Sequence, residues 1–124
     1  MAIEEFYNQE LNEWQKSIYF YLEDINMMEE RLRYVTEKNT KTEVLQGVEH
    51  FQNQFIAQRA ALQLLKHEVH RQKETFETEI ENSFQLTNLS VVDTQFLLRE
   101  KVHTAEKIFI ETKHSFYRFL ANVY

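Results

Sequence analysis

The sequence predicts an all-α fold, an elongated antiparallel up-down-up three-helix bundle, and three observations predict it. Proline is absent from the 124 residues and glycine occurs once, whereas an average chain of this length carries about six prolines and about nine glycines. Apolar residues recur at every seventh position along three long stretches. Short polar segments separate these stretches, so the helices must fold back on one another. We expect one domain over residues 1–124, with helices at about 3–38, 42–81 and 90–123.

The first helix is predicted from two apolar lines that share one face. The lines consist of Leu11, Ile18, Ile25 and Leu32 and of Tyr7, Trp14, Tyr21, Met28 and Val35. These spacings are typical of the inner positions of a heptad repeat. The repeat ends near Glu37. Thr40, with Glu43 three residues later, matches a capping box that opens the second helix.

The second helix continues the seven-residue spacing past the single glycine. Its inner lines consist of Val48, Phe55, Leu62, Val69 and Phe76 and of Val44, Phe51 and Leu65. Gly47 lies within this phase, so we interpret it as a glycine inside the helix, which costs about 1 kcal/mol relative to alanine. The alternative is that Gly47 ends a short helical extension.

The third helix follows a segment, residues 82–90, that loses both the charges and the repeat. Ser90 is a plausible N-cap there, because a serine hydroxyl can accept a hydrogen bond from the first free amides of a helix. The apolar line of the third helix then consists of Val91, Leu98, Val102, Ala105, Phe109, Thr112, Phe116, Phe119 and Val123. Folding about the two connections places Leu11 and Trp14 level with residues 65–76 and 98–105.

Four polar residues interrupt the predicted core lines: Gln58, Gln72, Gln95 and Thr112. A buried amide needs a hydrogen-bond partner, and such residues set the register of helices at some cost in stability. We interpret them as register-setting residues. A polar pocket within the bundle is the alternative.

The composition argues against several classes of function. A net charge of −6 disfavours a nucleic-acid-binding protein, because phosphate attraction needs a clustered basic face. No apolar run approaches the roughly 18 residues of a membrane span, and the acidic balance disfavours binding to anionic lipid. The chain has no cysteine and therefore no disulfide. We expect a cytoplasmic protein without a cofactor.

Seven residues are candidate metal ligands, in three spacings typical of a helix surface: His67, His70 and Glu74, Glu100 and His103, and Glu111 and His114. Bundles that hold two metal ions take such Glu-x-x-His patterns from two different helices and direct them inward. Here both patterns lie on the third helix, at positions that face solvent in the predicted phase. We interpret all seven as surface residues and predict no metal site.

Some apolar residues lie outside the core lines and are candidates for a protein interface. On the second helix these are Ile56, Ala57, Ala60, Ala61 and Leu64, and on the first helix they include Tyr19 and Phe20. Because a helix that is apolar on two sides is normally covered on two sides, we predict a homodimer through the middle of the second helix, or binding of another protein. Scattered exposed apolar residues on a monomer are the alternative.

Two resemblances accompany this interpretation. Three heptad helices with Trp14 in the first one resemble a spectrin repeat in architecture. The segment Asn39–Arg59, NTKTEVLQGVEHFQNQFIAQR, is similar to a group of uncharacterised small helical proteins of Bacteroidetes bacteria. That resemblance implies a bacterial origin and no mechanism.

The sequence favours a non-enzymatic helical interaction or scaffold protein, because long structured loops, where most sites are built, are almost missing. A metal-binding or small-ligand-binding bundle is one alternative. A membrane-surface amphipathic protein is another.

Overall fold

The computed structural model describes residues 3–81 and 89–124. Within them the chain forms three helices, α1 (Ile3–Lys38), α2 (Thr42–Glu81) and α3 (Leu89–Val123). At 1.5 Å per residue each helix is about 50 to 60 Å long. The helices pack on one another, so the predicted all-α three-helix bundle is confirmed.

Helix α2 runs antiparallel to α1. Near the start of α1, Lys73 Nζ donates to Asn12 Oδ1 at 2.7 Å, and further along α1, Arg59 Nη2 donates to Asn26 Oδ1 at 2.7 Å. A later residue of α1 thus contacts an earlier residue of α2, as in an antiparallel pair. The two helices therefore fold back about the short connection between Lys38 and Thr42.

Helix α3 runs parallel to α1. Arg99 Nε donates to Glu10 Oε2 at 2.7 Å and Lys113 Nζ donates to Asp24 Oδ2 at 2.9 Å. Each pair is separated by 89 residues in the chain, so α1 and α3 stay in one register over this length. A residue of α1 is thus level with the α3 residue whose number is about 89 higher.

The core consists of the predicted apolar lines. Among the described side chains, twenty apolar ones are buried: Tyr7, Leu11, Trp14, Ile18, Ile25, Met28, Leu32, Val35, Val48, Phe51, Phe55, Leu62, Leu65, Val69, Phe76, Val91, Leu98, Val102, Phe109 and Phe116. The other apolar members of the lines, Tyr21, Val44, Ala105, Phe119 and Val123, pack against this core half-buried. Full burial of a large apolar side chain contributes about 1.5–3 kcal/mol relative to exposure, so this seam holds the bundle together.

The first connection is as short as predicted, but its capping residue is different. Leu45 N donates to the carbonyl of Lys41 at 3.0 Å, which makes Lys41 the N-cap of α2. The N-cap therefore lies one residue after the predicted Thr40, a shift within the one or two residues by which helix ends differ between criteria. At the end of α1, Asn39 Nδ2 donates to the carbonyl of Val35 at 3.2 Å.

The start of α3 also differs slightly from the prediction. Leu89 is already helical, so Ser90 lies within α3 and not before it. Helix ends commonly shift by one or two residues between criteria. The rest of the predicted second connection, residues 82–88, lies outside the described residues.

Gly47 lies inside α2, as the phase of the apolar lines predicts, and not at the end of a helical extension. A Cβ atom built at this position would overlap Cε1 of Phe119 and would lie 3.1 Å from its Cδ1 and Cζ atoms. The missing side chain lets the ring of Phe119 rest on the α2 backbone. The same ring packs on Phe51, with the centroids 5.2 Å apart.

We predict that Gly47→Ala changes stability in opposite directions in two backgrounds. In the wild type, the displaced Phe119 ring costs about 1–3 kcal/mol, which exceeds the gain of about 1 kcal/mol in helix propensity. In a Phe119→Ala background the clash is gone, so the same change stabilises the protein by about 1 kcal/mol. Urea unfolding of the four variants measures both differences. Stabilisation by Gly47→Ala in both backgrounds would contradict the role assigned to the ring.

Candidate functional site

The four predicted polar core residues lie at the interfaces between helices. Gln72, Gln95 and Thr112 are buried, and Gln58 is half-buried. Gln58 Nε2 donates to Thr112 Oγ1 at 2.6 Å and joins the middles of α2 and α3. These contacts support the interpretation of the residues as register-setting groups.

Gln95 is the centre of a polar network that touches all three helices, and its side chain is fully buried. Its Nε2 donates to the carbonyl of Tyr7 and to Glu10 Oε1, both at 3.2 Å. Its Oε1 accepts from Gln72 Nε2 at 3.2 Å, and that amide also donates to the carbonyl of Val91 at 3.1 Å. Both Nε2 groups and the Gln95 Oε1 atom therefore have partners inside the bundle.

Polar bridges cross from α1 to α3 along one side of the bundle. Glu10 Oε1 accepts from Arg99 Nη2 at 2.6 Å, and this bond raises the pKa of Arg99 against the opposing effect of burial. Asp24 is bridged by Lys113 at 2.9 Å, and Arg31 lies over the Tyr117 ring, 5.5 Å from its centroid.

Between these bridges, Tyr21 is hydrogen-bonded to Glu106. Burial, the hydrogen bond to the Glu106 carboxylate and the charge of that carboxylate together raise the pKa of Tyr21 to about 12. A hydrogen bond with Ser17 acts in the opposite direction. The raised pKa has a structural cause, since Tyr21 packs on Phe109 with the ring centroids 4.6 Å apart.

A row of exposed apolar side chains follows α1 directly beside these bridges. We call it the α1 row: Phe6, Phe20, Met27 and Tyr34, which are 46%, 63%, 55% and 53% exposed. A charged residue of α1 follows each member four residues later; these residues are Glu10, Asp24, Arg31 and Lys38. Residues four apart are neighbours on a helix surface, and the first three of those charged residues contact α3. The α1 row therefore lies next to the α3-facing side of α1, and its member Phe20 also lines a groove with Asn12, Gln15 and Tyr19 on the side of α2.

A second row follows α3 on the other side of the bridges between α1 and α3. We call it the α3 row: Phe96, Ile110, Tyr117 and Tyr124, which are 56%, 43%, 39% and 69% exposed. Phe96 and Ile110 precede by three residues the bridging Arg99 and Lys113, and Tyr117 itself contacts α1.

The two rows are in register with each other. Each member of the α1 row has a member of the α3 row 90 residues later in the chain. The pairs are Phe6 and Phe96, Phe20 and Ile110, Met27 and Tyr117, and Tyr34 and Tyr124. The bridges show that residues 89 apart are level. We refer to the eight side chains together as the α1–α3 face, which extends over about 42 Å at 1.5 Å per residue.

The candidate metal ligands do not form a site. All seven, His67, His70, Glu74, Glu100, His103, Glu111 and His114, are exposed, as the predicted phase requires. His70 Nε2 lies 2.7 Å from Glu74 Oε1, with both side chains more than half exposed. Over residues 3–81 and 89–124, no group of three or more potential ligands comes together.

The predicted interface residues are exposed, as a contact surface requires: Ile56, Ala57, Ala60, Ala61, Leu64, Tyr19 and Phe20. They do not share one face. Ala61 and Leu64 line a groove of about 390 Å³ against Ile108 of α3, whereas Tyr19 lies in a groove of about 430 Å³ with Gln63 of α2. The dimer contact on α2 stays a prediction.

The α1–α3 face contains only one residue of the predicted interface, Phe20. The other seven residues have a signal in the sequence. Phe6, Met27 and Tyr34 repeat at multiples of seven from Phe20, and the four members of the α3 row repeat at multiples of seven from one another. The two repeats form one surface only if α1 and α3 are neighbours and the rows lie at the same height. The contacts between the helices in the folded bundle show both.

Comparison of the chain with protein-family models, with curated proteins and with solved structures finds no match. The resemblance of Asn39–Arg59 to Bacteroidetes proteins therefore remains a prediction. No helix in the described ranges is long and apolar enough to cross a membrane.

The Gln72–Gln95 pair gives a test of the polar core. We expect Gln72→Leu to destabilise the protein by about 1–3 kcal/mol, because it leaves the buried Oε1 of Gln95 without a donor. Adding Gln95→Leu removes that acceptor, so the double variant should be more stable than Gln72→Leu alone. Urea unfolding of the two single variants and the double variant measures the coupling. Additive effects would show that the two amides do not act as a pair.

The raised pKa of Tyr21 predicts a loss of stability in alkali. Between pH values of about 10 and about 12, the unfolded chain has released the tyrosine proton while the folded chain retains it, so the free energy of unfolding falls as the pH rises. Tyr21→Phe should reduce this fall. In an absorbance titration, Glu106→Gln should lower the pKa of Tyr21 towards its ordinary value of 10.0.

The matched control for this titration is Glu111→Gln, which removes the same charge from an exposed position on the same helix. It should leave the Tyr21 midpoint where it is. Equal shifts in the two variants would mean that net charge, and not the local hydrogen bond, is responsible.

Proposed function

We propose that this chain is a non-enzymatic helical interaction protein that binds a protein surface through the α1–α3 face. The observation that carries the proposal is the alignment of eight exposed apolar side chains in two rows of one register. Single exposed apolar residues are ordinary, whereas large exposed apolar surfaces mark interaction sites. The face supplies two aligned apolar rows, with the Glu10–Arg99 and Asp24–Lys113 bridges between them.

The chemistry of the remaining groups also supports an interaction protein rather than an enzyme. The pKa values of Tyr21 and Arg99 are both raised. Both side chains bridge α1 and α3 and are engaged with partners inside the bundle. Shifted groups in catalytic sites instead converge on a cleft where a substrate can reach them.

A membrane surface is a second conceivable target for an exposed aromatic face, since tyrosine is enriched at the lipid headgroup level. Amphipathic helices that bind there carry lysine and arginine on the polar side. This chain has a net charge of −6, and acidic residues such as Glu23 and Glu30 lie beside the α1 row. The charge favours a protein target over an anionic bilayer.

A photo-crosslinking amino acid placed in the α1–α3 face tests this proposal. We expect benzophenone at Phe20, a position that is 63% exposed, to crosslink the chain to a protein in cells that make it. The matched position on α2 is Leu64, which is 61% exposed. Gln46, an exposed polar residue of α2, serves as the background control.

Crosslinks from Phe20 well above those from Gln46 would support the proposal, whether the captured protein is a second copy or a different chain. Crosslinks from Leu64 alone would move the contact to the predicted surface of α2. Background levels at both Phe20 and Leu64 would overturn the proposed function.

A further inference from the structure

We infer that the occupant of the α1–α3 face is a second copy of this chain. The two copies are related by a two-fold axis parallel to the helices, and α1 of each copy packs on α3 of the other. The inference rests on the proposed function and adds the identity of the partner and its orientation. Three features carry it: the exposed area, the register of the two rows, and the position of their one polar level.

The exposed area is that of a standard protein interface. The eight side chains are between 39% and 69% exposed, and with about 200 Å² for each side chain they offer roughly 800 Å² in total. A stable interface of standard size takes about 800 Å² from each partner. One face on each copy therefore provides the area of a standard interface without a contribution from another surface.

The register of the rows suits this symmetry. A two-fold axis parallel to the helices leaves the height of every residue unchanged, so a residue of the α1 row meets the α3 row of the second copy at its own level. Because the rows are level within each chain, Phe20 meets the second copy's Ile110, and Met27 meets the second copy's Tyr117. Each contact occurs twice, as in every isologous interface.

The polar interruptions of the two rows also match. Glu13 lies seven residues after Phe6 and seven before Phe20, so it occupies the missing position of the α1 row. His103 occupies the corresponding position of the α3 row, between Phe96 and Ile110. These residues are 90 apart, as the apolar pairs are, and both are exposed. In the dimer Glu13 meets the second copy's His103, so a carboxylate acceptor faces an imidazole donor at the one level that is not apolar.

An antiparallel dimer centred on Phe20 does not pair Glu13 with a polar residue. In that arrangement α1 packs on α1 of the second copy, and Glu13 meets the second copy's Met27. A carboxylate would then be covered by a thioether without a hydrogen-bond partner, which is unfavourable. The position of Glu13 and His103 thus favours the parallel arrangement over this antiparallel one.

Sedimentation equilibrium of wild type, Phe20→Glu and Leu64→Glu tests the occupant. We expect the wild type and Leu64→Glu to dimerise, and Phe20→Glu to have an association constant at least about tenfold lower, because the new charge would be buried at the contact. The two substituted residues are 63% and 61% exposed, so both variants should fold, and circular dichroism checks this.

The absence of cysteine from the chain makes the orientation testable. Disulfides form only between Cα atoms less than about 7 Å apart, so introduced cysteines report which residues meet. We expect a disulfide when Phe20→Cys and Ile110→Cys chains are mixed and mildly oxidised. Neither variant alone should crosslink efficiently.

The outcomes separate the inference from the proposed function. A Phe20–Ile110 disulfide with a dimer sensitive to Phe20→Glu supports the inference. A wild type that is monomeric at high micromolar concentration overturns it, yet leaves the proposed function intact if Phe20 still crosslinks a different protein in cells. Efficient crosslinking of Phe20→Cys to itself, or a dimer lost only in Leu64→Glu, also overturns it.

Discussion

The rest of the structure depends on the seven-residue spacing of apolar side chains that all three helices share. Each helix alone would leave a long apolar strip in water, and helices of this length gain most of their stability from covering such a strip. The short connection at residues 39–41 allows only an antiparallel return for α2. Since the three strips have the same period, they meet over the whole length of the bundle and bury twenty of the described apolar side chains.

Polar contacts between the helices then fix the heights at which they lie. Apolar side chains in a regular seam can slide by one heptad at modest cost, whereas a buried amide or an ion pair has one correct partner. Gln95 has partners on both other helices, and the pairs Glu10–Arg99 and Asp24–Lys113 hold α1 and α3 in a single register. That register aligns the two exposed rows on either side of these bridges.

The bundle also explains where a function can be located. With little chain outside the helices, the described residues offer shallow outer grooves and helix surfaces. The three outer grooves differ in character. The groove between α1 and α2 contains groups such as Lys66 and His67, the groove between α2 and α3 contains Leu64 and Ile108, and the groove between α1 and α3 contains polar bridges with an exposed apolar row on either side. These surfaces are the basis for proposing that the protein binds a partner.

The sequence by itself determined the number of helices, their approximate bounds, the buried lines, the position of Gly47 inside α2 and the outward direction of the histidines. All of these follow from local periodicity, because residues seven apart on a helix share one face wherever the helix lies. The tertiary structure decided the rest. Lys41 and not Thr40 stands at the N-cap of α2, and Gly47 accommodates Phe119, which is 72 residues away in the chain. The α1–α3 face also needed the folded chain, since a row on one helix becomes part of a surface only when packing brings the matching row of another helix to the same height.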